Sequence, residues 1–383
     1  MTSLTQPLTL RGTRLRNRIM ISPMCTYSGG PDGIATDWHL AHYGRLAMGG
    51  AGLVMLEATS IHPLGRHCYS DLGLWDNAQI APLARITALI RSQGAVPAIQ
   101  LQHAGRKGSA RRPWHGGGAL DATDLAARSE APWQTIGPSP IPYAPDAPTP
   151  KEITATDRIM LLDHYRAATR RAVTAGFQMI EVHAAHGYLL NQFLSPIANQ
   201  RRDAYGGSIE NRMRFPLEVI DAVRSEMPEG HALSVRISAV DAVDGGWTLA
   251  DSVTFCTALK EHGVDIIDVS SGGIGGAATM NRLARTPGFQ VPFAEEIRRE
   301  TGLPTIAVGL ILTAAQAQAV VSADKADIIA IGRAALQNPN WPAMALTELT
   351  GSYDHWPAPT NWWLEKRADI LRDYEASTRQ HHD

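Results

Sequence analysis

The chain has 383 residues, 44% hydrophobic and 19% charged, a composition that excludes an extended disordered protein and requires a sizeable core. Lys and Arg number 35 against 37 Asp and Glu, a net charge of −2 that excludes a basic field for nucleic acid or an anionic membrane and points to small-molecule partners. Three widely spaced cysteines, Cys25, Cys68 and Cys256, exclude a disulfide framework or a four-cysteine cluster and fit a reducing cytosol.

The N-terminal stretch MTSLTQPLTLRGTRLRNR has no apolar run of the roughly 7–15 residues of a secretory signal. No segment approaches the ~18 uninterrupted apolar residues of a membrane span, so a soluble, cytoplasmic protein is expected. Length allows either two domains of about 150 residues or one large α/β barrel. A recurring phrase favours the barrel: a glycine ending a helical pattern, then an apolar strand closing on an acid. It reads Gly52-Leu-Val-Met-Leu-Glu57, Gly176-Phe-Gln-Met-Ile-Glu181 and Gly263-Val-Asp-Ile-Ile-Asp268, with a variant at Ala326-Asp-Ile-Ile-Ala-Ile-Gly332. Glycine supplies the left-handed helix end, and apolar strands of this kind belong to a parallel sheet covered by helices.

The pattern predicts eight strands, near 18–24, 52–57, 95–101, 178–183, 233–238, 265–270, 304–308 and 327–331. Helices are predicted between most of them, near 78–93, 157–175, 208–227, 250–262, 313–322 and 334–349. The expected fold is α/β, a single (β/α)8 TIM barrel over residues 1–383. Residues 104–156, rich in Gly and Pro, follow the third strand and are expected to form a capping loop at the carboxyl face, with a merely decorated surface loop as the alternative. Residues 350–383 read as a C-terminal tail.

Strand parity then selects candidates for chemistry. In Ala232-Leu-Ser-Val-Arg-Ile-Ser238, Arg236 shares a face with Ser234 and Ser238, opposite Leu233, Val235 and Ile237. A guanidinium facing a barrel interior needs an anion, because leaving it unpaired costs several kcal/mol. Two readings stand: a bound anionic ligand, or an internal ion pair with Glu57 or Glu181. Gln100 and Gln102 share one parity on strand three, and Glu181 and His183 one on strand four.

His183-Ala-Ala-His186-Gly-Tyr188 follows strand four, at the end of the barrel where active sites lie. A metal reading of the two histidines lacks a third ligand at matching spacing, and no metal is expected. A structurally satisfied pair is a second reading. The third has both imidazoles donating to a substrate oxygen while Tyr188 supplies a proton. Gly309 ends strand seven and Gly332-Arg333 ends strand eight, where barrels seat phosphates. The run Ser271-Gly-Gly-Ile-Gly-Gly276 does not complete G-x-G-x-x-G, since position 278 is alanine, and this disfavours a Rossmann site.

With these residues placed, the sequence resembles the old yellow enzymes, flavin-dependent ene-reductases, over nearly the whole chain. The likeness rests on Arg16-Asn-Arg-Ile with Ser22-Pro-Met-Cys-Thr-Tyr27, Gln100-Leu-Gln-His-Ala-Gly-Arg-Lys107, His183-Ala-Ala-His-Gly-Tyr-Leu189 and the stretch NQRRDAYGGSIENRMRF from Asn199 to Phe215. The cysteine-bearing first strand and the Arg112-Pro-Trp114 loop are similar to the xenobiotic reductase subgroup.

The resemblance implies noncovalent FMN across the barrel mouth. Ser22, Pro23, Met24 and Cys25 would lie along its edge, Ala58 nearby, Gln100 on the pyrimidine ring and Arg236 at the N1 and O2 side. Gly309, Gly332 and Arg333 would take the phosphate. It further implies NAD(P)H as hydride donor, in a family that leans to NADPH, and activated alkenes as substrates: α,β-unsaturated carbonyl or nitro compounds. His183 and His186 would hold the substrate oxygen and Tyr188 would protonate the α-carbon. Tyr27, Cys25 and Lys107 would line the substrate site, and Trp363 would reach a neighbouring subunit in a homodimer or larger assembly. Three other readings are weighed: an iron-sulfur relative, disfavoured by three scattered cysteines, a flavin-free metal-dependent barrel, and a non-enzymatic flavin sensor.

Overall fold

Eight parallel strands close into a barrel in the computed structural model, which describes residues 2–275 and 283–380, the last five by backbone alone. They are β1 (Ile19–Ile21), β2 (Leu53–Ser60), β3 (Val96–Gln102), β4 (Met179–Ala184), β5 (Ala232–Ser238), β6 (Ile266–Ser270), β7 (Thr305–Ala307) and β8 (Ile328–Ile331). Each pairs with its sequence neighbour, and β8 closes on β1. The chain leaves β1 earlier than the pattern predicts: Ser22 N–H still donates to Ile331 O at 3.0 Å, and residues 22–36 then run as a loop over the mouth.

The crossover helices are α1 (Asp37–Met48), α2 (Ile80–Ser92), α3 (Ala155–Thr174), α4 (Ile209–Arg224), α5 (Leu249–Glu261), α6 (Val291–Thr301), α7 (Ala314–Ser322) and α8 (Trp341–Thr350). The pattern contains no helix at α1 or α6. In α1 the buried face carries His39, His42 and Tyr43, so its inward stripe does not read as apolar. The single helix predicted over 334–349 is broken into Arg333–Gln337 and α8. Asn338 is extended, as the residue before Pro339 should be.

Alternation sorts the strand residues into two cores. Met20, Met55, Ala98, Met179, Ala232, Ile266, Ile306 and Ile328 fill the barrel's lower interior, where Leu10 and Leu15 of an N-terminal hairpin plug the base. Val54, Ile99, Ile180, Val182, Val235 and Ile267 pack outward against the helices. Gly176 and Gly263 adopt the expected left-handed helix end, with φ of +89° and +78°. Gly52 does not: α1 ends at Gly49 and Gly50, and Gly52 is needed because a Cβ there would stand 2.4 Å from Asn17 O.

The segment after β3 is a folded excursion. It holds the helix Ala122–Arg128 and a two-residue bridge of Ile136–Gly137 with Lys151–Glu152. Buried Asp124 accepts from Arg111 at 2.8 Å and from Arg128, and Arg112 pairs with Glu130. Arg106 ties the excursion to the mouth through Ile141 O at 3.0 Å and Ile274 O at 2.8 Å. The tail forms the helix Ala358–Gln380; its last three residues, like Gly276 of the glycine run, lie outside the described residues. Among the described residues no helix is long and apolar enough to cross a membrane.

Candidate active site

Above its apolar floor the barrel interior turns polar. Gln100, Glu181, Ser234 and Asp268 point inward from β3 to β6, and all are buried. Gln100 Nε2 donates to Glu181 Oε1 and Ser234 Oγ to Glu181 Oε2, each at 2.8 Å. One level higher, Arg236 Nε stands 3.4 Å from Asp268 Oδ2. The ion-pair alternative expects Glu57 or Glu181 beside this guanidinium; its carboxylate neighbour is instead Asp268. Burial raises the pKa of both Glu181 and Asp268; Asp268 raises that of Glu181 further, and Arg236 lowers both. Even so, Arg236 Nε and both Asp268 carboxylate oxygens have no hydrogen-bond partner.

The loop after β4 brings the predicted histidine and tyrosine side chains together. The rings of His183 and His186 lie 5.2 Å apart, and that of Tyr188 lies 5.0 Å from His183. His183 Nδ1 is buried without a partner. His186 takes a left-handed backbone (φ +58°), its N–H donating to Ser238 Oγ at 2.9 Å. Its Nε2 is engaged by Ser270 Oγ at 2.7 Å. Burial, then neighbouring cationic groups, pushes both imidazoles well below their usual range, so at neutral pH each is uncharged. Burial moves the Tyr188 phenol upward, with Cys25, Asp71 and Cys68 adding to it. Lys107 Nζ donates to His186 O at 2.8 Å and to Gly273 O, and stands 5.9 Å over the Tyr188 ring. Its ammonium thus fastens the histidine loop to the segment after β6. Burial lowers its pKa to about 7.

The loop after β1 supplies the opposite wall, held by a residue whose role parity conceals. A bulge in β2 between Leu56 and Ala58 turns Glu57 out of alternation and toward α1. Glu57 accepts from Thr26 N–H at 2.7 Å, Thr26 Oγ1 at 2.8 Å and Tyr43 OH at 3.0 Å. This fixes Cys25, Thr26 and Tyr27, the last with φ +49°. The Tyr27 ring lies 5.9 Å from Trp114 of the excursion and 6.1 Å from His67. His67 in turn lies 6.3 Å from Tyr188, so one aromatic wall runs from Trp114 to His186. Trp114 is the tryptophan of the Arg112-Pro-Trp114 loop and Thr26 lies within the Ser22–Tyr27 motif without an assigned role, whereas His67 carries no sequence signal.

Arg236, His186, Gly309 and Arg333 line one cleft, with Ser270 and Gln290 between them. Gly309 has φ +118°, and a Cβ there would stand 2.9 Å from Gln290 Nε2. Gln290 accepts from Ser271 Oγ at 2.6 Å and donates to Val308 O at 3.1 Å, stiffening the cleft's edge. Gly332, just after β8, faces Met24 and Ser22 across the rim, where an added Cβ would make only ordinary contact with Met24 Sδ at 3.6 Å. Pro23 and Ala58 lie beside this rim, on the loop after β1 and on upper β2. Trp363 is not part of the site in its own chain: it is 65% exposed, its ring against Trp362 at 4.5 Å. Buried, unpartnered polar atoms gather at the mouth: Ser22 Oγ, His183 Nδ1, Arg236 Nε and the whole amide of Gln102. Such atoms are costly unless a ligand meets them, so the rim fits a planar polar cofactor with an anionic arm. Gln102 shares Gln100's parity and was given no role.

Comparison with known proteins gives this rim its context. The family model described as NADH:flavin oxidoreductase / NADH oxidase matches residues 3–350. The chain belongs to that family. It is an oxidoreductase of the old yellow enzyme type, similar to an NADPH dehydrogenase of Geobacillus thermodenitrificans (strain NG80-2), with 47% identity over 91% of this chain and 95% of the relative. Among solved structures, morphinone reductase superposes with a TM-score of 0.74 at 29% identity, over 90% of each chain. A 2-naphthoyl-CoA reductase superposes at 0.79 with 22% identity, a likeness of fold alone, and this chain spans only 52% of its length.

Proposed function

We propose that this oxidoreductase binds FMN noncovalently across the barrel mouth and reduces the C=C bond of activated alkenes, with NADPH as reductant. The observation that carries the reading is the set of buried, unpartnered polar atoms around the mouth, with Arg236 and Arg333 on one cleft. The chemistry FMN supplies when bound is hydride acceptance from NADPH and hydride donation to the β-carbon of the alkene.

The chain's own residues do the rest. Gly309, Gly332 and Arg333 seat the phosphate, with Ser22, Pro23, Met24, Ala58 and Gln100 around the ring. Arg236 holds positive charge where negative charge collects on the reduced ring, and Asp268 restrains its side chain. His183 and His186 donate N–H groups to the carbonyl or nitro oxygen, stabilising charge as it develops there. For His186 this requires the Ser270 hydroxyl to donate into Nε2, leaving Nδ1–H for the substrate. Tyr188 passes its proton to the α-carbon. Tyr27 and Cys25 shape the opposite wall, and Lys107 acts by fixing the His186 backbone.

The purified protein should be yellow, and stopped-flow mixing should show bleaching by NADPH and recovery with a cyclic enone, a maleimide and a nitroalkene. A flavin that bleaches and recovers with oxygen but with none of these alkenes sinks the proposal. We also assign the chain to the xenobiotic reductase-like subgroup, on Cys25 and the Trp114 edge against Tyr27. In that reading Trp363 enters a neighbouring subunit's substrate site, so Trp363→Ala should raise the enone KM with less change in NADPH reduction. A fully active monomer in analytical ultracentrifugation overturns it.

A further inference from the structure

The turn between β2 and α2 carries a cluster that the proposed reaction does not use. Cys68 and Asp71 are each 1% exposed. Cys68 Sγ donates to Asp71 Oδ1 at 3.3 Å, and Asp71 Oδ2 accepts from the His67 backbone N–H at 2.6 Å. One ring nitrogen of His67, the Cys68 sulfur and one Asp71 oxygen all lie within 4.8 Å of one another. His67 Nδ1 is buried and has no hydrogen-bond partner. No metal is expected from the sequence, where the histidines considered as ligands are His183 and His186 and the three cysteines are too few for a four-cysteine cluster.

We propose that His67, Cys68 and Asp71 bind a divalent cation of the zinc class, with a fourth position left for water. One nitrogen, one sulfur and one oxygen with a vacant position suit zinc, and the thiolate selects zinc or cadmium over magnesium or calcium. Ligands about 2.0–2.3 Å from a tetrahedral zinc stand roughly 3.3–3.7 Å apart. The Cys68–Asp71 pair already has that separation, at 3.3 Å. Only the His67 ring must turn inward. Binding is not a redox step: the Cys68 S–H bond breaks, its proton goes to solvent, and the sulfur lone pair forms the metal bond while neutral His67 and ionised Asp71 complete the set. Because His67 lies 6.1 Å from Tyr27 and 6.3 Å from Tyr188, drawing it onto a metal reshapes the aromatic wall, and zinc should inhibit turnover.

The test uses the flavin-loaded protein, stripped with a chelator and titrated with zinc chloride against a chromophoric competitor at pH 7.5. One zinc per chain is expected, with about one proton released and no comparable uptake of magnesium. Cys68→Ser and His67→Gln should each weaken binding by about tenfold or more, while Cys256→Ser binds as the parent does. Should Cys68→Ser fail to fold, the parent still decides: cadmium should produce a thiolate charge-transfer band, and zinc should protect Cys68 from alkylation in peptide mapping. Absence of stoichiometric zinc, a band lost with Cys25→Ser but kept with Cys68→Ser, or alkylation of Cys68 unaffected by zinc overturns the proposal.

Discussion

Arg236→Met is expected to give a chain that still folds, less stably by about 3–5 kcal/mol, and that binds no flavin. Glu181 and Asp268 are fully buried in the barrel, and Arg236 is a cation that lowers the pKa of both. Without it both carboxyls climb further and take up protons. A carboxyl raised in the folded state holds a proton that the unfolded chain has released, so the variant loses stability as pH rises from the unfolded carboxyl range toward the folded value. Urea unfolding should therefore show a wider gap from the parent at pH 8 than at pH 5. The second variant, Arg236→Met with Asp268→Asn, removes one of the two carboxyls that would have to take up a proton and should recover part of the stability at pH 8. If the guanidinium serves only as Asp268's partner, flavin binding returns with it. If Arg236 meets the flavin, the double variant is stabilised but colourless, the result we expect.

How far these residues were legible follows from where each sits. On β3, β4 and β5 a period of two places Gln100, Glu181, His183 and Arg236 inward without any structure, because a paired strand has no freedom to do otherwise. The same rule on β6 would have found Asp268, which the sequence reading quoted only as the end of an apolar run. Glu57 was not legible, since a bulge reverses its side at a single residue and no local pattern marks it. Nor was α1, whose buried face mixes Leu46 and Ala47 with His39, His42 and Tyr43, of which His39 meets Thr26 and Tyr43 meets Glu57. Pro339 announced the break in the last predicted helix. His67 and Asp71 come from an irregular turn where sequence distance says nothing of proximity, and Lys107 shows the remaining limit. Its position beside the site could be read, but the carbonyls it binds belong to loops roughly 80 and 170 residues away in sequence.

For Tyr188→Phe we expect reduction by NADPH at nearly the parental rate and reoxidation by an enone slowed by about 10²–10⁴-fold, the usual worth of a positioned acid. Tyr188 caps the short helix Leu189–Leu194 through its backbone, and its ring is wedged between His183 at 5.0 Å and His67 at 6.3 Å. Phenylalanine keeps that packing and removes only the hydroxyl. Burial holds the phenol protonated above its ordinary range, and both imidazoles stay neutral down to well below theirs. The parental enone step should consequently show no titration from these three groups between about pH 6.5 and 10. A quinone separates protonation from positioning, because its reduction places protons on oxygen and needs no acid at carbon. Tyr188→Phe should reduce a quinone at close to the parental rate while failing with the enone. Equal losses on both would make Tyr188 a positioning residue for His183, and the proton would then have to reach the α-carbon from solvent.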